Sequence, residues 1–326
     1  MGGLDAAIRG LQSALEKHGH EVAVNPNGNA GKADIAHFHG LWQPAFARRA
    51  LHYQKEKIPY IVSPHGMLEP WAWNHKRWKK YPYWHLIEKR WVRRAARVLA
   101  TAENEALRLE TFLPKTRCAV LPLGLTGDAR PDYAAAREKL GWQPGGMILL
   151  FLSRVHEKKG LDLLLSALAD LGKGRPARTR LVIVGPEEQP AYAERCRRFI
   201  KLYAQRLPPV EWKGPVWGED RWAYLQGADL FCLPTHSENF GLVVLESCQV
   251  GTPVLTTTGT PWNDVLPDRA GFIAEPNVDG ISTQLSAFFH VHRPEPSDRE
   301  DLAKWARDNY EWEEVARHYA ELYRHL

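Results

Sequence analysis

No apolar run in this 326-residue sequence approaches the roughly 20 residues that a bilayer-spanning helix needs. Its four cysteines, at 118, 196, 232 and 248, are scattered and form no Cys-x-x-Cys pair, which points to reduced, structural thiols in a cytoplasmic protein. No signal-peptide pattern is visible, because Met1 leads directly into a helix-like stretch. Charge of one sign is not in large excess: the net value is +5, so placement matters more than size. No Asp-x-Asp occurs anywhere, so no obvious carboxylate pair presents a metal. What is abundant is tryptophan, with 13 in the chain. Hydrophobic residues at 44% against charged residues at 25% give a globular balance, and the length allows two domains.

Periodicity divides the chain into alternating elements. Leu4 to His18 reads as an amphipathic helix with Leu4, Ile8, Leu11 and Leu15 on one face, ended by Gly19. Strands follow at Glu21–Val24, Ile35–His39, Ile58–Ser63, Arg97–Thr101 and Cys118–Pro122. Helices are expected at Ala45–Lys55, near Trp84–Ala96 and at Glu103–Phe112. Gly127–Pro131 breaks the pattern and reads as a linker. The pattern restarts with strands at Met147–Ser153, Arg180–Val184, Val210–Lys213, Asp229–Leu233 and Val254–Thr258. Helices are expected at Leu161–Leu171, Ala191–Arg206, Asp220–Gln226 and from about Leu242, and Ser297–Leu326 reads as a long terminal helical region.

Strands alternating with helices predict an α/β fold with parallel sheets. Two successive units of similar size predict two Rossmann-like domains that face each other across a cleft. The expected divisions are 1–128, 129–300 and a terminal helix, 301–326, packing back toward the first domain. Ligands of such sheets bind beyond the C-terminal ends of the strands.

Four motifs point to that end of the sheets. Ser153-Arg154 follows a strand, and Lys159-Gly160 enters a helix. An Arg fork and a Lys point charge there can bracket a diphosphate, although a solvated basic loop is as common. His65-Gly66 stands at a strand tip, whereas a lone histidine is usually structural. Gly2-Gly3 precede a helix, where backbone can approach phosphate or sugar closely. Finally, Ser237-Glu238-Asn239-Phe240-Gly241-Leu242 links a buried strand to a helix N-terminus, which collects free backbone N–H groups. Glu246 lies about two turns on, roughly 8–10 Å from Glu238 at about 1.5 Å rise per residue. That separation suits two hydroxyl-bearing parts of one extended ligand. Alone, such a glutamate pair is commonly a first-turn residue and a solvated one.

Together, Gly2-Gly3, Ser63-Pro-His65-Gly66, Arg154 with Lys159-Gly160, and Glu238-Asn-Phe-Gly followed by Glu246 resemble the retaining family-4 glycosyltransferases of the GT-B fold. Gly259-Thr-Pro-Trp262 is similar to a loop of bacterial polysaccharide members. The resemblance implies transfer of a sugar from a nucleotide-diphosphate sugar to a saccharide or lipid-linked acceptor, with retained anomeric configuration. It implies a role at cell-surface polysaccharide assembly, in the cytoplasm or at the inner face of the membrane. Arg154 and Lys159 would hold the donor diphosphate and stabilise its charge as the glycosidic bond breaks. Glu238 would contact donor sugar hydroxyls, and His65 would touch the same sugar from the first domain. The backbone of Asn239, Phe240, Gly241 and Leu242 would hold sugar and phosphate oxygens, Gly3 would line the donor site, and Glu246 would accept ribose hydroxyls. No cofactor and no metal are expected, since Arg154 and Lys159 can supply the positive charge.

Members of that family begin with a strand before the diglycine loop, whereas this sequence opens on Met1-Gly2-Gly3. The strands at 22–24 and 35–39 are then expected to pair with each other or leave a gap, with the first domain the less stable. Residues 71–97 carry five tryptophans and nine lysines and arginines against the single acid Glu88. Such a surface suits an anionic membrane, or it is a solvated basic helix with tryptophans packed inward. No nucleic-acid fold signature accompanies it. Two further readings stay open: a nucleotide-sugar epimerase on the same architecture, and a non-catalytic nucleotide-sugar-binding subunit.

Overall fold

A computed structural model of the chain describes residues 3–24, 33–113, 118–125, 127–268, 270–290 and 295–326. The chain forms two compact units, Met1–Gly124 with Tyr310–Leu326, and Leu125–Asn309. Gly2 lies outside the described residues.

The first unit holds a four-stranded parallel sheet in the order β1 (Ala36–His39), β2 (Tyr60–Ser63), β3 (Arg97–Ala100), β4 (Cys118–Val120). Side chains alternate across each strand. Tyr60, Val62, Val98 and Ala100 face a cluster containing Phe38, Trp73, Trp84 and Trp91. Ile61 and Leu99 face the other way, onto Leu11 and Leu15 of α1 (Gly3–Lys17) and Val315 and Tyr319 of α14 (Trp312–Arg324). Both faces are therefore covered, which is why the strands read as short apolar runs.

Three expectations for this unit need correction. Residues 21–24 form no strand; Val22 packs on the α1–α14 cluster, and its carbonyl accepts from Gln12 Nε2 at 3.3 Å. Among the described residues β1 is therefore an edge strand paired with β2. The helix expected at 84–96 is instead helical from Arg77 to Val92 and passes through a π-helical turn at Trp84–Glu88. Pro82 sits just before that turn; it lacks an amide donor and breaks the regular ladder there. The wider turn buries Trp84 and Glu88 together, and Glu88 then accepts from the amide of Trp42 and the indole of Trp91. Last, the terminal helical region is two helices, α13 (Pro296–Tyr310) and α14, with the chain extended at Glu311. Of the two, α14 groups with the first unit and α13 with the second. Trp312 anchors it: a Cβ on Gly10 or Gly124 would lie 2.1 or 2.4 Å from its indole.

The second unit is a six-stranded parallel sheet. Its strands are β5 (Met147–Leu152), β6 (Thr179–Val184), β7 (Val210–Gly214), β8 (Leu230–Cys232), β9 (Val254–Thr257) and β10 (Gly271–Ala274), in the order β10-β9-β8-β5-β6-β7. Three of its elements escape periodicity: β10, α7 (Tyr133–Lys139) and α12 (Val278–His290). Leu149, Phe151, Leu181 and Ile183 pack with Leu161, Leu164, Leu165 and Leu168 of α8 (Leu161–Leu171) on one face. Counted from β5 outward, the order is that of a doubly wound dinucleotide fold, with the topological switch between β5 and β8.

Candidate active site

Adjacent parallel strands whose connections leave in opposite directions open a crevice at their carboxyl ends. In the second unit that crevice is flanked by the segment after β5, Ser153–Gly160, and the segment after β8, Leu233–Gly241. The first carries Arg154 and Lys159 and the second carries Glu238, and the sheet order brings Lys159 to Glu238.

Short contacts bind the two segments. The Lys158 carbonyl accepts from the His236 amide and from Thr235 Oγ1, both at 2.8 Å. Gly160 enters α8 with φ of 68°, and a Cβ there would lie 2.0 Å from the Pro234 carbonyl oxygen. Glycine is therefore required twice over at that position. A third segment, after β9, closes against them. The Glu238 amide donates to the Gly259 carbonyl at 2.9 Å. The Trp262 indole donates to the Phe240 carbonyl, and the two rings sit 5.1 Å apart.

Lys159 Nζ forms an ion pair with Glu238 Oε2 inside this frame, and both side chains are largely buried. Burial opposes the charge on Glu238, but Lys159 and Lys158, with hydrogen bonds from Lys159 and the Asn239 amide, outweigh it and hold the carboxyl below its ordinary value. Two opposite charges thus stand ready at the switch point. Arg154 does not join them. Its guanidinium is half exposed and pairs with Glu188, after β6. An exposed pair of this kind contributes about 0–1 kcal/mol, so Arg154 is readily redirected.

Helix α11 (Leu242–Gln249) starts from Gly241, whose φ of 76° turns the chain into it. The amides of Gly241 and Leu242 meet no acceptor among the described residues, and the positive end of the helix dipole lies with them. Glu246 is buried on the second turn. Both its oxygens are taken by Arg221, Nη1 to Oε2 at 2.9 Å and Nη2 to Oε1 at 2.7 Å. Arg221 lies on α10 (Asp220–Gly227) and is a site residue that sequence reasoning misses. Its spacing from Glu246 follows no motif, and only the packing of α10 beside α11 joins them. Trp262 is likewise recognisable only as part of a loop, and its support of Phe240 is a tertiary fact.

In the first unit, Gly3 is the first residue of α1. His65 follows β2 in a left-handed conformation, φ 51°. Its Nε2 lies 3.0 Å from His39 Nδ1, at the end of β1. In the segment 71–97, Trp73, Trp84 and Trp91 pack inward, while Trp71, Trp78, Tyr81, Leu86 and Ile87 are exposed. No helix among the described residues is long and apolar enough to cross a membrane.

Two parallel-sheet α/β units, of four and six strands, fit the GT-B fold. Comparison with known proteins agrees. Residues 132–309 match the glycosyl transferases group 1 family, and residues 29–124 match a glycosyl transferase 4-like domain. The chain belongs to the glycosyl transferases group 1 family. A D-inositol 3-phosphate glycosyltransferase of Kribbella flavida is 30% identical over 71% of this chain and 57% of its own length. One from Segniliparus rotundus is 33% identical over 50% of this chain and 37% of its own. The chain therefore matches less than two thirds of the length of these curated relatives. Among solved structures, Anabaena HepE in complex with UDP superposes with a TM-score of 0.73 at 17% identity, covering 98% of this chain and 82% of that one. WaaG, a glycosyltransferase involved in lipopolysaccharide biosynthesis, gives 0.68 at 16% identity, covering 99% and 96%. Both likenesses speak for the fold.

Proposed function

We propose that this chain transfers a sugar from a nucleotide-diphosphate sugar to a saccharide or lipid-linked acceptor, with retention of anomeric configuration, in cell-surface polysaccharide assembly. The Lys159–Glu238 pair beside the open amides of α11 carries the reading. In it, the diphosphate displaces Glu238 from Lys159, and Arg154 leaves Glu188 to bracket the same charge. Glu238, released, accepts hydrogen bonds from hydroxyls of the sugar. The amides at Asn239–Leu242 take sugar and phosphate oxygens, Gly3 lines the donor site, and His65 meets the sugar from the first unit. The bond from C1 to the diphosphate oxygen breaks as the acceptor oxygen bonds C1 on the same face. The acceptor proton passes to the departing phosphate oxygen, so no protein nucleophile is required. Arg154 and Lys159 stabilise the charge developing on the leaving group without a metal. Glu246, held by Arg221, accepts from the ribose, since a carboxylate has lone pairs beyond those a bidentate guanidinium uses.

The exposed Trp71, Trp78, Tyr81, Leu86 and Ile87, set among lysines and arginines, support a peripheral contact with the anionic inner face of a membrane, where a lipid-linked acceptor resides. The names of the curated relatives favour a second acceptor, a phosphorylated inositol. Product analysis with UDP-, GDP- and ADP-sugars tests the whole reading. Glu238→Ala is expected to lower turnover mainly, and Glu246→Ala to weaken binding of the free nucleotide. Equal losses of nucleotide affinity in both would contradict the assigned roles. An epimerised nucleotide sugar as product, or nucleotide binding without turnover, would replace transfer with an epimerase or a non-catalytic subunit.

A further inference from the structure

His39 ends β1, and His65 stands two residues past the end of the neighbouring parallel strand β2. Their rings are nearly parallel, 15° between planes with centroids 5.3 Å apart, and His39 Nδ1 lies 3.0 Å from His65 Nε2. Two neutral imidazoles in such contact form a hydrogen bond only if one nitrogen donates and the other accepts. The proton placement of one ring therefore dictates that of the other. Among the described residues neither His39 Nε2 nor His65 Nδ1 has a hydrogen-bond partner.

Resting on the role proposed for His65, we infer that His39 is a positioning residue. Its Nδ1 holds the His65 ring in one rotamer and one tautomer, so that His65 Nδ1 meets a hydroxyl of the transferred sugar in a fixed hydrogen-bonding sense.

The surroundings isolate this task. The backbone of the His65-Gly66 turn is held by another group: the Gly66 amide donates to Glu105 Oε1 at 2.6 Å, and Glu105 Oε2 accepts from the Thr101 amide and hydroxyl at 2.8 and 2.9 Å. That leaves the ring to His39. The plane of His39 is set from its other side by His37, stacked at 4.0 Å. His37 is fixed by Ser63 Oγ and by Tyr323 OH of α14, both at 2.8 Å. Tyr319, also on α14, approaches the His37 ring with centroids 6.3 Å apart. Burial pushes all three imidazoles down, His65 to about 4, so the rings are neutral near pH 7. A neutral ring can give and take a proton across the pair, whereas an imidazolium can only donate.

Long-range proton–nitrogen spectra of the full chain, with turnover of whichever UDP-, GDP- or ADP-sugar proves fastest, test the inference. In the native chain His65 shows a single neutral tautomer down to about pH 5. His39→Phe keeps a ring to stack on His37 but removes the bond. It should give mixed His65 tautomers and kcat lowered roughly 10- to 100-fold, with affinity for the nucleotide of that donor unchanged. His39→Asn keeps an amide near the place of Nδ1 and should restore a single tautomer and most of kcat. A single His65 tautomer and native kcat in His39→Phe would overturn the inference, as would equal losses in the Phe and Asn variants. If His65→Phe collapses kcat while His39→Phe does not, only the positioning role of His39 fails. If His65→Phe leaves kcat intact, the role proposed for His65 fails first.

Discussion

Replacing Lys159 by Met removes one charge from a pair whose two side chains are 8% and 15% exposed. Stranding a charge by deleting its buried partner costs roughly 3–5 kcal/mol. Glu238 keeps some solvent and the charge of Lys158, so the low end, about 3 kcal/mol at pH 7, is expected. The double change Lys159→Met, Glu238→Gln removes the stranded charge as well and should recover about 2 kcal/mol of that loss. The pH dependence carries a signature of its own. In the native chain the Glu238 carboxyl lies below its ordinary value, so its contribution to stability is present above about pH 4.5 and is lost as pH falls through its folded value. Without Lys159, burial is opposed only by Lys158 and the Asn239 amide, and the carboxyl rises. The acid loss of stability around the ordinary carboxyl range then flattens, by as much as about 1.4 kcal/mol per pH unit for one proton. Denaturant melts of the three proteins at several pH values measure both effects. Donor turnover should vanish in the single and the double variant alike, which separates the role of the pair in chemistry from its role in stability. A Lys159→Met protein with native stability and a native acid limb would refute the argument that the two charges depend on each other.

Gly160→Ala adds a Cβ 2.0 Å from the Pro234 carbonyl at φ of 68°; thermal melts should show a loss of about 2–3 kcal/mol, because strain and overlap act together. Burial lowers the pKa of His37 to about 3 and, near it, that of His65 to about 4, both below the unfolded value. The unfolded chain then binds more protons, so first-unit stability should fall as pH drops from about 6.5 toward 4; hydrogen exchange across β1 and β2 that ignores pH in this window would contradict it. Replacing Lys76, Arg77, Lys79 and Lys80 with Ser should reduce sedimentation with anionic vesicles, and high salt should weaken it in the native chain, since charges are screened beyond about 10 Å at 0.1 M; no vesicle binding at low salt would leave the basic face simply solvated.

Local pattern carried most of the element order in this chain. Apolar strands such as Met147–Leu152 and the period of Leu161–Leu171 are legible because burial on one or both faces leaves a repeat in the residues themselves. Residue chemistry also marked Lys159, Glu238 and Glu246, because glycines and a helix start bracket them. Position in space is another matter. The order of strands in a sheet is set by how helices cover its two faces, and nothing in a strand names its neighbour. The switch point that joins Lys159 to Glu238 therefore appears only in the folded unit, as does the fact that Arg154 rests on Glu188. Arg221 meets Glu246 across 25 residues with no motif between them. His39 and His65 lie 26 residues apart in sequence and meet only because β1 pairs with β2. The sequence by itself determined which segments would be buried and which side chains could bear charge. Only tertiary packing decided which charges face each other, because contact between distant segments depends on the whole fold and leaves no local repeat to read.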